Sequence, residues 1–234
     1  MLPDRQSQEM ILVEEDKTDN SGVMKVTPIK TGIFLPPKGV LWDFLSQNVR
    51  VLRENSIVCV ASKIVSIGEG RCIPIKSVDS KDGLIISEAD KYLPRDFVPG
   101  GWVMHTISNG IFMPSSGIDE SNANGCYIMW PKNPYKSAHK IWSFLRKKFR
   151  LENLGVVICD SHSLPMRRGL MGISIGHWGF RPLRDYRGRR DIFGRKLNIS
   201  QTNIPDSLAA AAVFKMGEGA EQTPIAIIED IDSI

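Results

Sequence analysis

Hydrophobic and polar positions follow two different periods along the chain. Residues 56–61 and 155–159 are short, almost wholly apolar runs, the pattern of a strand buried on both faces. Residues 40–49 and 137–149 place apolar side chains three or four positions apart, and basic residues cover the other face of 137–149, which predicts amphipathic helices. Further predicted elements are strands at 24–29, 102–107 and 224–228 and helices at 87–93 and 207–216.

These elements mix helices and strands without strict alternation, which favours an α+β fold over a doubly wound sheet. The 234 residues with 42% hydrophobic content can bury a large core as one domain or as two intertwined lobes. Residues 1–22 are polar and charged and predict a flexible tail, so we expect one folded domain over 23–234. The chain start has no signal-peptide pattern and no apolar run is long enough to span a bilayer; we therefore expect a cytoplasmic protein that does not enter a membrane.

The four cysteines are scattered and form no C-x-x-C pair, so we expect reduced, mostly buried thiols. The four histidines do not supply the spacing of a zinc site. The formal net charge of +4 suits anionic small molecules and also permits nucleic acid. The densest basic region, residues 181–196, is a candidate RNA-binding loop, but Asp185 and Asp191 interrupt it and aromatic residues are few, which makes nucleic acid an unlikely partner.

Acidic side chains recur in polar, glycine-containing turns at 116–122 and 216–222, and Asp160 follows the strand predicted at 155–159. Carboxylates at such positions are rigidly aimed, and nearby glycines let a phosphate or metal approach the backbone. Oxygen ligands without thiol or imidazole clusters favour Mg²⁺ or Mn²⁺. For any one of these acids, the alternative is a helix cap or a satisfied turn.

Basic side chains supply the complementary charge. Lys63 directly follows a predicted strand, a position typical of a phosphate-binding lysine, although a solvated strand end fits equally well. Arg167 and Arg168 follow the strand of Asp160, and their planar donor groups suit carboxylate or phosphate, as a surface ion pair also would. The sequence contains neither a P-loop nor a dinucleotide-binding glycine motif.

Several motifs in one order resemble the coenzyme F420-0:γ-glutamyl ligase family over roughly residues 26–229. They are PIKTGI at 28–33, SKIVS at 62–66 with EGR at 69–71, GIDESN at 117–122, DS at 160–161 with RRG at 167–169, DYRGRRDIFGR at 185–195 and MGEG at 216–219. The resemblance implies a GTP- or ATP-dependent ligase that uses Mg²⁺ or Mn²⁺, and K⁺ in addition, and that forms a homodimer. The implied reaction activates an acceptor carboxylate as an acyl phosphate, which the amine of L-glutamate then attacks.

The resemblance also implies roles for individual residues. The metal ligands would be Asp119, Asp160, Ser161 and Glu218, and the candidate catalytic residues are Asp119, Asp160 and Arg168. The residues expected to line the nucleotide are Gly32, Ile33, Phe34, Leu35, Ser62, Lys63, Asn122, Met216, Gly217, Gly219, Glu221, Gln222 and Thr223.

The chain departs from the family pattern at two places. Ile67 stands where the family usually has a lysine, and Ser163 and Leu164 stand where it usually has Gly-Arg. We interpret the missing arginine as a sign of an acceptor without the phosphodiester of F420-0, such as a folate; F420-0 itself stays open. The alternatives are an inactive ligase homologue, which Ile67 would explain, and a non-catalytic nucleic-acid-binding protein.

Overall fold

The computed structural model describes residues 23–37 and 39–231. The tail predicted at 1–22 lies outside the described residues, and its boundary stays a prediction. The described chain contains five α-helices: α1 Leu41–Asn48, α2 Ser62–Gly68, α3 Lys81–Glu88, α4 Pro134–Phe149 and α5 Ile204–Met216. Its strands are β1 Lys25–Ile29, β2 Ser56–Ala61, β3 Cys72–Pro74, β4 Lys91–Leu93, β5 His105–Ser108, β6 Ile111–Pro114, β7 Cys126–Ile128, β8 Leu154–His162, β9 Met171–Trp178, β10 Leu183–Asp185, β11 Gln201–Asn203 and β12 Ile225–Glu229.

The central sheet has five strands in the order β1-β12-β2-β8-β9. Strands β2 and β8 are parallel, whereas every other neighbouring pair is antiparallel. Strands β1, β2 and β8 therefore run in the same direction, and their carboxyl ends meet at one edge of the sheet. Strand β12 begins at this edge, so the loop that precedes it also lies there.

Helices cover both faces of the central sheet. On one face α1 and α4 pack against the sheet, and Ala138, Ile141 and Leu145 of α4 are fully buried, each of the two larger side chains contributing about 2 kcal/mol by leaving water. On the other face α5 packs through small side chains, including Ala209 and Ala212. A Cβ atom at Gly172 of β9 would lie under 3.0 Å from the Ala209 carbonyl oxygen, so this close packing requires glycine.

A smaller lobe, which we define as residues 70–130, lies beside the carboxyl edge. It contains α3, the β3–β7 ribbon and the β4-β5-β6 sheet, which surround a second core that includes Ile85, Met104 and Met129. Arg95 donates twice to the carboxylate of Asp82 and fixes the start of α3 to the loop before β5.

Residues 181–203 form an exposed arm in which β10 pairs with β11. The arm carries Ile192, Phe193 and Ile199 on its surface, and Arg187 forms an ion pair with Asp185. The segment 181–196 therefore is not a plain basic loop, because it includes a strand.

The α+β prediction is confirmed, as are the helices at 40–49, 137–149 and 207–216 and the strands at 24–29, 56–61 and 224–228, within a few residues at each end. The helix predicted at 87–93 is wrong, because the Ser80 side chain caps the amide of Gly83 and starts α3 earlier, while Lys91–Leu93 pairs with β5. The strand predicted at 102–107 begins only at His105.

Two further sequence expectations can be compared with the structure. All four cysteines are buried and free, as predicted. None of the helices in the described part of the chain has the length and apolar character that a membrane span requires.

Candidate active site

A cavity of about 500 Å³ opens at the carboxyl edge of β1, β2 and β8. It contains every residue predicted to bind a nucleotide or a metal ion: Gly32, Ile33, Phe34, Leu35, Ser62, Lys63, Asp119, Asn122, Asp160, Ser161, Met216, Gly217, Glu218, Gly219, Glu221, Gln222 and Thr223. The segments that carry these residues follow β1, follow β2, end β8 or precede β12, and the small lobe contributes the turn at 119–124. The strand directions thus explain why residues separated by nearly two hundred positions share one cavity.

Asp160 lies near the end of β8 and faces the cavity. The strand predicted at 155–159 is confirmed, but it does not stop before Asp160, because β8 pairs with β9 as far as His162, with an irregularity in the pairing after Ile158. Its Oδ1 accepts a hydrogen bond of 2.9 Å from the Ser161 amide, and its Oδ2 accepts one from the Trp130 indole nitrogen. Burial, with a smaller contribution from the nearby charge of Asp119, outweighs the hydrogen bonds from Trp130 and Ser161 and raises the pKa of Asp160 to about 6.

Asp119 reaches the same cavity from the small lobe, where its backbone forms a bridge with Ile128. Its Oδ2 lies 2.8 Å from the Lys63 ammonium, and its Oδ1 accepts a bond of 2.8 Å from the Ser121 amide. Burial would raise the pKa of Asp119, but the hydrogen bonds and charge of Lys63 together with the Ser121 donors outweigh burial and hold that pKa below its ordinary value.

Lys63 lies in the first turn of α2 rather than at a solvated strand end. Its ammonium donates to Asp119 and, at 2.7 Å, to the Ser121 carbonyl, and only 26% of its side chain is exposed. The alternative of a solvated lysine is therefore wrong. Lys63 presents a fixed positive charge at the edge of the cavity.

The loop at 217–223 closes the cavity on the α5 side. Gly217 has a φ of +80°, which favours glycine, and Gly219 donates its amide to the Glu221 carboxylate at 2.7 Å. Asn122 donates to the Gly219 carbonyl at 3.0 Å, so the small lobe contacts this loop directly. Glu218 accepts a bond of 3.0 Å from the Ser161 hydroxyl, which places two predicted metal ligands against each other.

The remaining wall of the cavity is apolar. It includes Phe34, Ile64 and Ile67, and Phe34 packs on Phe44 with ring centroids 4.5 Å apart. Ile67 is almost completely buried. The cavity therefore joins an acidic end to a surface on which a flat, weakly polar group can lie.

The oxygen donors at the acidic end fit a hard divalent cation. Within the described part of the chain, no three His, Cys, Asp or Glu side chains already surround a common metal position. Mg²⁺ does not require such a cage, since it keeps several waters and binds through one or two carboxylates plus substrate phosphates. Asp160 fits this description, because no Lys or Arg of the described residues forms an ion pair with its buried carboxylate and Lys63 acts on it only at a distance.

One predicted residue does not line the cavity. Arg168 is exposed in the turn between β8 and β9, as is Arg167, so a role for Arg168 in catalysis stays a prediction. Conversely, sequence reasoning missed Thr31, Ser121 and Asn124 in the cavity wall and Trp130 behind Asp160. Ser121 lay within a quoted motif, whereas no spacing in the sequence pointed to Trp130.

Comparison with known proteins agrees with this arrangement. Residues 38–230 match the sequence family described as F420-0:Gamma-glutamyl ligase. The Coenzyme F420:L-glutamate ligase of Methanocaldococcus jannaschii is 32% identical over 190 residues, which cover 76% of each protein. The protein of the same name from Methanopyrus kandleri is 28% identical over 225 residues, covering 89% of this chain and 87% of its own length. The predicted ligase resemblance is confirmed: this chain belongs to the F420-0:gamma-glutamyl ligase family.

Proposed function

We propose that this enzyme is an acid–amino-acid ligase that uses GTP, or ATP, and a divalent cation to join L-glutamate to a carboxylate-bearing acceptor. The names of its relatives support glutamate as the amine substrate. The observation that carries the proposal is the convergence of Lys63, Asp119, Asp160, Ser161 and Glu218 at one end of a single cavity.

The nucleotide lies along the length of the cavity in this proposal. Its base rests on the apolar wall that includes Phe34 and Ile64, and its phosphates reach the loop at 217–223, where glycines allow close approach to backbone amides. Lys63 supplies positive charge to the terminal phosphate. Ile67 removes one cation that the family usually places here, but Lys63 remains.

Asp119, Asp160, Ser161 and Glu218 would hold the cation, which supplies neutralisation of the charge that builds up on the transferred phosphoryl group. In this proposal the acceptor carboxylate lies next to the triphosphate. Two like charges at 4 Å repel by about 4 kcal/mol at an effective dielectric constant of about 20, so Lys63 and the cation-binding acids are needed together. Whether K⁺ also binds stays a prediction.

The reaction proceeds in two displacements. An acceptor carboxylate oxygen forms a bond to the γ-phosphorus while the bond between that phosphorus and the β–γ bridging oxygen breaks, giving an acyl phosphate and the nucleoside diphosphate. The deprotonated amine of glutamate then forms a bond to the acyl carbon, the carbon–oxygen bond to phosphate breaks, and inorganic phosphate leaves with the proton that the amine nitrogen loses. The site contributes by holding the reacting groups in line and excluding competing water.

The acceptor is F420-0 or a folate. Ser163 and Leu164 follow β8 close to Asp160, where an arginine would contact a phosphodiester, and their lack of charge supports an acceptor without one. We expect glutamate addition to tetrahydrofolate. Ready glutamylation of F420-0 with no reaction of tetrahydrofolate would contradict this part of the proposal.

The experiment is a mass-spectrometric assay with each nucleotide, Mg²⁺ or Mn²⁺, L-glutamate and each acceptor. The expected result is an acceptor heavier by one glutamate residue and formation of the nucleoside diphosphate. Asp43→Asn, the same substitution on the exposed face of α1, is the matched control for variants of the site. No product under any combination, together with salt-sensitive RNA binding, would favour the nucleic-acid-binding alternative; no product and no RNA binding would favour an inactive homologue. Light scattering tests the predicted homodimer.

A further inference from the structure

We infer that Trp130 is a positioning residue that fixes the Asp160 carboxylate for cation binding, and that Gly117 is required because only glycine leaves room for the Trp130 ring. This inference rests on the proposed cation at Asp160. Trp130 lies outside the cavity wall, so it acts through Asp160 and not on a substrate.

Arg71 holds the backbone that carries the Trp130 side chain. Trp130 lies two positions after the end of β7. Only 4% of its surface is exposed, because it packs in the core beneath the central sheet. Its carbonyl accepts a hydrogen bond of 3.0 Å from the Arg71 guanidinium, and the preceding amide of Met129 donates to the Arg71 carbonyl at 3.0 Å. The backbone that carries the indole is therefore fixed, and the indole N–H donates to Asp160 Oδ2.

Gly117 supplies the space for this ring. A Cβ atom at Gly117 would lie under 3.0 Å from the indole nitrogen and two ring carbons of Trp130. The φ of Gly117 is +69°, a conformation that other residues rarely adopt. The glycine of the acidic turn at 116–122 thus has a packing reason, beyond any contact with phosphate.

The two hydrogen bonds to Asp160 come from neutral donors. The Trp130 indole binds Oδ2 and the Ser161 amide binds Oδ1, so the carboxylate is oriented by both oxygens. Neutral donors fix the direction of a ligand without cancelling its charge as an ammonium does, and such outer partners commonly change metal affinity by about 10–100-fold. Asp160 consequently keeps its negative charge for a cation.

The first test removes the donor and keeps the ring. Trp130→Phe is expected to raise the dissociation constant of the full-length protein for Mn²⁺, measured by electron paramagnetic resonance without nucleotide, by at least about tenfold. Trp142→Phe is the matched control, because the Trp142 indole also donates a single hydrogen bond, of 2.8 Å, to the Leu154 carbonyl away from the cavity. The control should leave Mn²⁺ affinity unchanged, while both variants show similar losses of thermal stability in EDTA.

The second test displaces the ring and covers the case in which Trp130→Phe fails to fold. Gly117→Ala should weaken Mn²⁺ binding by a similar factor. Gly110→Ala is its control, since Gly110 has a comparable φ of +74° but no atom within 4 Å of an added Cβ, so it reports backbone strain alone.

The outcomes separate this inference from the proposed function. If Asp160→Asn weakens Mn²⁺ binding but Trp130→Phe and Gly117→Ala do not, the cation site stands and the role of Trp130 is overturned. If the unmodified protein binds no Mn²⁺ either with or without nucleotide, both the cation site and the role of Trp130 are overturned. If Trp142→Phe weakened Mn²⁺ binding as much as Trp130→Phe does, the role of Trp130 would also be overturned, because the effect would then be a general loss of packing.

Discussion

The two walls of the cavity carry acids of opposite electrostatic character. On the small-lobe wall, Asp119 is paired with Lys63, and its pKa lies below the ordinary value. On the sheet wall, Asp160 is held by neutral donors with no cation in contact, and burial raises its pKa to about 6. Unpaired charge, rather than the number of carboxylates, therefore marks where the proposed cation would bind, because Asp160 is partly buried and makes no ion pair within the described part of the chain, whereas Asp119 is paired with Lys63.

The two walls also differ in how they are fixed. Asp160 belongs to a strand that pairs on both sides within the main sheet. Asp119 lies outside the named strands, in a turn that contacts the rest of the small lobe through its bridge to Ile128 and through the ion pair of Glu120 with Lys81. The sheet wall is therefore the rigid reference, and Lys63 links the small-lobe wall to it across the start of α2.

The largest expected effect is on turnover when the uncompensated acid is neutralised. Asp160→Asn should lower kcat by about 10²–10³-fold, since removing one preorganised electrostatic contact to a transition state costs about 3–4 kcal/mol in other enzymes. Rates are measured by nucleoside diphosphate release with acceptor and glutamate present. Asp43→Asn should retain the full rate; equal rates in Asp160→Asn and the unmodified enzyme would rule out a role for Asp160.

Replacement of Lys63 should give the next largest effect, and it should change kcat and Mn²⁺ affinity in opposite directions. Lys63→Met should lower kcat by about 10²-fold, because the terminal phosphate loses a fixed cation. The same substitution frees Asp119, so Mn²⁺ should bind more tightly when no nucleotide is present. Lys140→Met on the exposed face of α4 should change neither quantity. Weaker Mn²⁺ binding by Lys63→Met would contradict the competition between Lys63 and a cation for Asp119.

Replacing the acid on each wall should change the free energy of unfolding in opposite directions. In EDTA at about pH 7, Asp160→Asn should increase the free energy of unfolding by about 1–3 kcal/mol, because a carboxylate with its pKa raised by burial penalises the folded state when ionised. Asp119→Asn should decrease it by about 1 kcal/mol or less, since the pair with Lys63 is partly exposed and screened. Chemical denaturation measures both.

The pH dependence of the Asp160 effect follows from the raised pKa. Protonated Asp160 is favoured in the folded state, so its stabilising contribution is complete below the unfolded pKa near 3.8 and is lost as pH rises through about 6. The advantage of Asp160→Asn over the unmodified protein should therefore vanish below about pH 4 and reach its maximum above about pH 6. A constant advantage over this range would show that burial of charge is not its cause.

The smallest effect concerns the support of the small-lobe wall. The guanidinium of Arg95 lowers the pKa of Asp82 chiefly through its hydrogen bonds. Asp82→Asn should cost about 1 kcal/mol or less at neutral pH, because this pair is partly exposed. The stabilisation is present above the unfolded pKa near 3.8 and is lost as pH falls through the lower folded value. If Asp82→Asn lowered the free energy of unfolding equally at neutral pH and at the lowest pH, the ion pair with Arg95 would not be the cause.

The sequence predicted most of the cavity because its chemistry is concentrated in local motifs. The acidic turns and the glycine loop carry their signals within a few residues, and buried strands such as 56–61 are apparent from composition alone. Parallel β2 and β8 then bring the motifs together, as carboxyl ends of parallel strands meet at one edge.

The missed features depend on long-range contacts. Trp130 and Asp160 are thirty positions apart, and Lys63 and Asp119 are fifty-six apart, so neither partner can be chosen from local pattern. Asp160 was misplaced at the end of its strand because pairing with β9 extends β8 through polar residues. The start of α3 was missed because a single serine cap outweighed the apolar pattern farther along.

Strand β12 occupies the place between β1 and β2, although it is made last of the five strands. While the chain is being synthesised, β1 has no neighbour in the sheet until residue 229 or so has left the ribosome, and the glycine loop lacks the strand that fixes its carboxyl end. The long loop that this pairing closes makes it a late step, as contacts distant in sequence form slowly. Nascent chains therefore lack the completed cavity, and the proposed binding site forms only with the final strand.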